Sequence, residues 1–353
     1  MVFKGLKVVG GLLGVALLGG AGFYGWAVST THQMRAEVYD VHTVDIAVPY
    51  PLTETEIADL RAKKAAELVA AAPPADGVAL ASMATVDPAQ AADPLAGVDL
   101  NALALENAVA RGKHLVEARY GCQICHGGDF SGGTMVDSPV LGTFKGLNLT
   151  GGKGSPVGDF KTSDWERLVR HGVRRDGTPV AMPSKDYAAM SDQELSDIIA
   201  YIQSQPKVDN DAPLPVYGPL FNVLTALGKI RFSAQDFGSI ATHLAVPPPA
   251  GPTVEFGEHL SHTCTGCHGA DYTGGPIEGG DPAWPPAPNL TQAGVGSWTY
   301  EAFDKAVRSG VRKDGQPMQR PMADVLPMLG HTTPDETRAL WAFFQTLPAK
   351  PTK

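Results

Sequence analysis

The sequence predicts an all-α protein: two tandem repeats behind an N-terminal transmembrane helix. Three observations predict it. Cys122-Gln123-Ile124-Cys125-His126 recurs as Cys264-Thr265-Gly266-Cys267-His268, and its flanks recur with it. The offset from His126 to His268 equals the offset from Tyr201 to Phe343 near the ends of the copies, so the repeats are colinear. Ahead of both, the stretch from Val8 to Val28 carries no charged side chain.

That stretch, as a helix rising 1.5 Å per residue, would reach about 30 Å, the thickness of a bilayer's hydrocarbon core. Lys4 and Lys7 precede it, and Phe23, Tyr24 and Trp26 sit at its far end, as interfacial aromatics do. Residues 1–30 are therefore expected to be an anchor, or a cleaved signal segment with Ala27-Val28-Ser29 as the small-residue site. Either sends the remainder across a bacterial inner membrane. A single-pass protein with its repeats facing the periplasm is the expectation.

Residues 31–100 read as an extracytoplasmic extension. Thr31 to Pro51 is extended and polar, and Thr53 with Glu56 offers a capping box for a helix running to about Ala71. Ala72 to Gly97 is dominated by Ala, Pro, Asp and Gly, a composition that cannot build a core and suits a tether. The repeats themselves are placed at 101–208 and 251–353, joined by a connector at 209–250 with a helix near Leu220 to Ile230. Each opens on a short helix, at Ala110 to Leu115 and Glu255 to Leu260. Each then carries a Gly-rich loop, Asn-Leu-Thr (148–150 and 289–291), an amphipathic helix and an Asp-Gly turn. The closing helices carry capping boxes at Ser191/Glu194 and Thr333/Glu336 and stop at Pro206 and Pro348.

Cys-x-x-Cys-His is the pattern of covalent haem attachment. Two thiols at that spacing can form thioethers to one porphyrin, and the adjacent His can ligate the iron. All four cysteines of the chain, Cys122, Cys125, Cys264 and Cys267, lie in the two copies. A four-cysteine zinc site would want its pairs about 15–20 residues apart, whereas a whole repeat separates Cys125 from Cys264. Two disulfides leave the repeated His unexplained, and a thioredoxin-like pair would need a strand–helix setting where the flanks here are Gly-rich. Two covalently bound haem c groups are expected, with His126 and His268 on the irons.

The sixth position decides between carrier and catalyst. Met182 lies downstream of His126, between the Asp-Gly turn and the closing helix, with Met190 as its rival. Met322 follows His268 at nearly the same distance and in the same setting, and Met318 and Met328 compete with it. His171 and His331 are lesser alternatives. A thioether favours Fe(II), and a six-coordinate iron binds no substrate, so Met on both irons describes an electron carrier. A dihaem enzyme such as a peroxidase or thiosulfate dehydrogenase would instead need an open iron, or His or Cys on the working haem. The net charge of −9 excludes a nucleic-acid footprint and suits a partner with a basic face.

Across roughly 101–350 the chain resembles class I cytochrome c domains, in the dihaem form found among cytochrome c subunits of bacterial membrane-bound dehydrogenases. The resemblance rests on Gly112, Cys122 to His126, Asn148-Leu149-Thr150, Met182-Pro183 and Tyr201. It is carried again by Gly257, Cys264 to His268, Asn289-Leu290-Thr291 and Phe343. It implies that Gly112 packs against Tyr201 and Gly257 against Phe343. The second copy reads Met322-Ala323 where the family has Met-Pro. The resemblance further implies a protein with no bond chemistry of its own, relaying single electrons. The expected donor is a dehydrogenase or quinol-oxidising complex, and the expected acceptor an oxidase or soluble cytochrome c.

Overall fold

Each repeat is built on a crossing between its opening and closing helices, and a glycine sets how closely they approach. The computed structural model describes residues 2–71, 93–211, 213–235 and 243–353, with side chains from Leu17 onward except that of Ala71. The helices of the first repeat are α3 (Leu100–His114), α4 (Cys122–His126), α5 (Thr162–His171) and α6 (Asp192–Gln203), preceded by α1 (Val2–Ala36) and α2 (Glu54–Ala71). A connector helix, α7 (Pro219–Ala226), leads towards α8 (Val254–Ser261), α9 (Thr265–His268), α10 (Tyr300–Ser309), α11 (Met322–Leu329) and α12 (Pro334–Thr346) of the second.

Where α3 crosses α6, a Cβ on Gly112 would stand 2.0 Å from the carbonyl oxygen of Asp197 and 2.8 Å from Cβ of Tyr201. Where α8 crosses α12, a Cβ on Gly257 would stand 1.9 Å from the carbonyl oxygen of Ala339 and 2.9 Å from Cβ of Phe343. Only glycine permits either approach. The closing helices start where the capping boxes predict, with Glu194 and Glu336 each reaching back to the cap residue's N–H. Apolar side chains from the helices of each repeat build two separate cores, one around Trp165, Leu195 and Ile199, the other around Phe303, Leu340 and Phe344.

Two expectations are corrected. The fold is not all-α: β1 (Gly133–Ser138), β2 (Gly142–Gly146) and β3 (Val216–Tyr217) form a three-stranded antiparallel sheet. The glycines of the loop after Cys125-His126 make it possible. Gly142, at φ +108°, lets the strands close where a Cβ would lie 2.0 Å from the carbonyl oxygen of Val216.

The transmembrane helix and the single-pass inner-membrane placement are not supported either. Among the described residues, no helix is long and apolar enough to cross a membrane. A third of the stretch from Val8 to Val28 is glycine, which brings no apolar side chain, and the side chains of 2–16 lie outside the described ones. Helix α1 runs on past Val28 through His32 and Arg35 and packs its last turns on the protein. Ala27 and Thr31 are buried, Thr31 Oγ1 donates to the carbonyl of Asn222 at 2.9 Å, and Arg35 lies 4.0 Å over the ring of Tyr217.

The extension after α1 is also tied down. Ile46 is buried in the first core, with Val44, Val48 and Tyr50 packed beside it, and Ser196 donates to the carbonyl of Ala47. Helix α2 is held by Glu56, which pairs with Arg111 at 2.8 Å. Most of the Ala/Pro-rich tether, residues 72–92, lies outside the described residues.

The repeats meet through equivalent surfaces, exchanged in the manner of a two-fold axis. His114 of α3 reaches Glu336 of α12 at 2.8 Å, and His259 of α8 reaches Glu194 of α6 at 2.9 Å. The exchange extends to the loops. A Cβ on Gly121 would lie 2.7 Å from Sδ of Met328, and one on Gly266 would lie 2.5 Å from Oδ2 of Asp186. Each Cys-x-x-Cys-His segment therefore abuts the Met-bearing segment of the other repeat.

Candidate functional site

The two copies hold their histidines identically. Nδ1 of His126 lies 2.7 Å from the carbonyl oxygen of Leu147, and Nδ1 of His268 lies 2.8 Å from that of Pro288. A carbonyl only accepts, so Nδ1 carries the proton and Nε2 keeps its lone pair for a metal. Burial lowers both pKa values and keeps the rings neutral, as ligation requires.

A left-handed aromatic positions those carbonyls. Phe130 (φ +60°) and Tyr272 (φ +59°) are the only non-glycine residues with positive φ among those described. The carbonyls of Phe130 and Tyr272 accept from Leu149 N–H and Leu290 N–H respectively, both at 2.8 Å. Each ring packs edge-on against the aromatic of the closing helix, Tyr201 or Phe343. The Asn-Leu-Thr motif then ties the loop to the chain beyond that helix. Asn148 donates to the carbonyl of Val208 and Asn289 to that of Lys350, both at 2.8 Å.

In the first repeat these parts surround an apolar cavity of about 410 Å³, the size of a small-molecule site. Cys122, Cys125 and His126 line it, and so do Trp165, Met182 and Met190. The donor set fits a covalently held macrocycle: two thiols and an imidazole, with Met182 in the same cavity. Met182 is fixed by its backbone, whose carbonyl accepts from Ser184 N–H at 2.8 Å and from Ser233 Oγ at 2.6 Å. His171 does not line the cavity and is bonded to Glu166 instead.

No disulfide joins Cys122, Cys125, Cys264 and Cys267. Among the described residues no cluster of potential metal ligands includes a cysteine. Both observations speak against the disulfide and zinc readings.

In the second repeat the methionines are out of step with the first. Val180 N–H bonds the carbonyl of Gly172, and the equivalent bond is from Met318 N–H to Gly310. By this register Met182 corresponds to Arg320. Met322 falls beyond Pro321 on the first turn of α11, and Met328 near its end faces Gly121.

Residues 107–202 match the family model for cytochrome c oxidase, cbb3-type, subunit III, and residues 254–348 match the cytochrome c model. The chain is 30% identical over 280 residues to the gluconate 2-dehydrogenase cytochrome c subunit of Pantoea cypripedii, covering 69% of this chain and 60% of the relative. It is 26% identical to the fructose dehydrogenase cytochrome subunit of Gluconobacter japonicus, over 69% of this chain and 53% of the relative. It is 27% identical to the alcohol dehydrogenase (quinone) cytochrome c subunit of Gluconacetobacter polyoxogenes, over 66% and 55%. The match thus spans little more than half the length of these relatives.

Proposed function

Because the chain carries two cytochrome c domains, and with them two covalently bound haem c groups, we propose that it is a cytochrome subunit of a dehydrogenase complex. It would accept single electrons from the dehydrogenase and pass them to an oxidase or a soluble cytochrome c. Haem supplies the reversible one-electron step. The chain supplies attachment through Cys122 and Cys125 and through Cys264 and Cys267, with His126 and His268 as proximal ligands. Met182 and Met322 would supply the second ligand to each iron. The domains would run over 101–208 and 251–353.

The duplicated His–carbonyl bond carries this reading. It fixes one tautomer in both copies, which a purely structural histidine would not need. The exchanged packing adds to it, since each attachment segment lies against the other repeat's Met segment, a short route between the two centres. An electron carrier needs both irons closed. The oxidised protein should therefore show a weak far-red sulfur-to-iron band. Met182→His combined with Met322→His should abolish it, while Met182→His alone should remove only part. Rapid carbon monoxide binding to a native haem would overturn the carrier reading. Persistence of half the band in the double variant would move the second ligand to Met318 or Met328. Co-purification of a stoichiometric dehydrogenase tests the partner.

A further inference from the structure

Outside the cavity lies a second cluster of chemistry that electron relay does not use. Glu166 and His171 come from α5, and His243 comes from the segment that leads into the second repeat. Nε2 of His171 is 2.9 Å from Oε1 of Glu166, and Nε2 of His243 is 3.8 Å from the same oxygen. One ligand atom from each residue lies within 4.8 Å of the other two. All three are inside the protein: Glu166 is 0% exposed, His171 2%, and the side chain of His243 6%. With metal–ligand bonds of about 2.1 Å, neighbouring ligand atoms stand about 3.0 Å apart around an octahedral ion and about 3.4 Å around a tetrahedral one. The separations of 2.9 and 3.8 Å bracket that spacing, and the third pair lies within 4.8 Å, so a small closure of the three side chains would complete it.

Two further observations point to a cation. Oε2 of Glu166 and Nε2 of His243 are buried without a hydrogen-bond partner, where buried polar atoms are almost always paired. The surrounding charge is also unbalanced. Among the described residues, Arg170 is the cation packed here, 2.8 Å from Asp192 and 3.7 Å from Glu166. Two carboxylates therefore share one guanidinium, and a buried charge left unanswered is costly. Glu166 Oε2 and His243 Nε2 are the ligand atoms left without a hydrogen bond. A metal ion engages both.

The second repeat shows that the cluster is not part of the shared frame. Its equivalent positions on α10 are Asp304, Arg308 and Ser309. There the carboxylate of Asp304 accepts from Thr337 Oγ1 at 2.7 Å, with no histidine present.

We propose that Glu166, His171 and His243 bind one divalent transition metal of the zinc type, clasping the inter-repeat segment to α5. Two imidazoles and one carboxylate are a donor set for such borderline ions rather than for calcium or magnesium. The clasp would brace the helix whose Trp165, Leu168 and Val169 line the cavity.

The test uses the full holoprotein, stripped with a chelator and equilibrated by dialysis against a series of micromolar free zinc concentrations. Metal content is read by mass spectrometry against the two haem irons. One zinc per chain is expected, and His243→Gln should weaken its retention by more than about 10-fold while the haem spectrum stays native. His171→Gln is the second variant and should weaken it comparably. Failure of the native protein to retain stoichiometric zinc would overturn the proposal. So would equal retention by native protein and both variants, which would assign the zinc to other histidines.

Discussion

Glu194 and Glu336 hold the same place, the third position of a closing helix, and each receives a histidine from the other repeat. Glu194 is sealed: its side chain is 3% exposed, His259 is 4% exposed, and Arg119 donates to the same carboxylate and also to the carbonyl of His259. Glu336 is bonded by its cap residue's N–H and by His114, with no arginine bonded to it among the described residues, and the Glu336–His114 pair is 10% and 38% exposed. The sequence explains the difference. Arg119 stands three residues before Cys122, and the matching position before Cys264 is Ser261, whose hydroxyl bonds Tyr272. A reciprocal interface thus has one deep, charge-dense half and one shallow half. Duplication preserved the contact while its energetics diverged.

Removing the two carboxylates separately breaks the comparison most sharply. Glu194→Gln leaves Arg119 buried without its countercharge and should destabilise the holoprotein by about 3–5 kcal/mol. Glu336→Gln loses a partly exposed pair and should cost about 1 kcal/mol or less. Guanidinium unfolding followed on the haem absorption of each variant measures both. Equal losses would mean that burial at Glu194 adds nothing.

At the helix crossings the repeats should behave alike. Gly112→Ala and Gly257→Ala each force a methyl into a backbone carbonyl at 2.0 and 1.9 Å. Overpacking of this kind costs about 1–3 kcal/mol, and the same unfolding experiment should find the two losses similar. If Gly257→Ala were tolerated, the second crossing would be looser than its geometry.

How much of this was legible in the sequence follows from which signals are local. The Cys-x-x-Cys-His copies, the capping boxes at Thr53, Ser191 and Thr333, and the glycine–aromatic crossings are written in short spacings, and all are found. The sheet was not legible, because β3 joins β2 from far along the chain and Val216–Tyr217 is too short to show alternation. Phe130 and Tyr272 gave no warning either, since the left-handed region is normally signalled by Gly or Asn. Only their recurrence after an Asp in both Gly-rich loops could have marked them. The anchor expectation counted uncharged residues without discounting the glycines among them. His243 sits in a connector with no counterpart in either repeat, so no repeat pattern could draw attention to it.

The smallest expected effect sharpens the shallow half of the interface through its pH dependence. The bond to Glu336 is the main cause that raises His114 above the ordinary histidine value, with burial opposing it. Burial is the largest single influence on Glu336 and would raise it, but the bonds from His114 and Thr333 and the charge of His114 together outweigh it and lower that carboxyl. A histidine with a raised folded pKa contributes its full stability below about 6.5, the unfolded value, and loses it as pH rises through the higher folded value. A carboxylate with a lowered folded pKa contributes above about 4.5 and loses that as pH falls. The His114–Glu336 pair therefore stabilises the contact most between those limits and fades as pH climbs past neutrality. The native protein minus His114→Gln difference in unfolding free energy should be largest near pH 5.5–6.5, of order 1 kcal/mol or less given the exposure of His114, and should vanish towards pH 8.5. A difference that instead grew with pH would mean that His114 packs as a neutral ring, and that the shallow contact is not ionic.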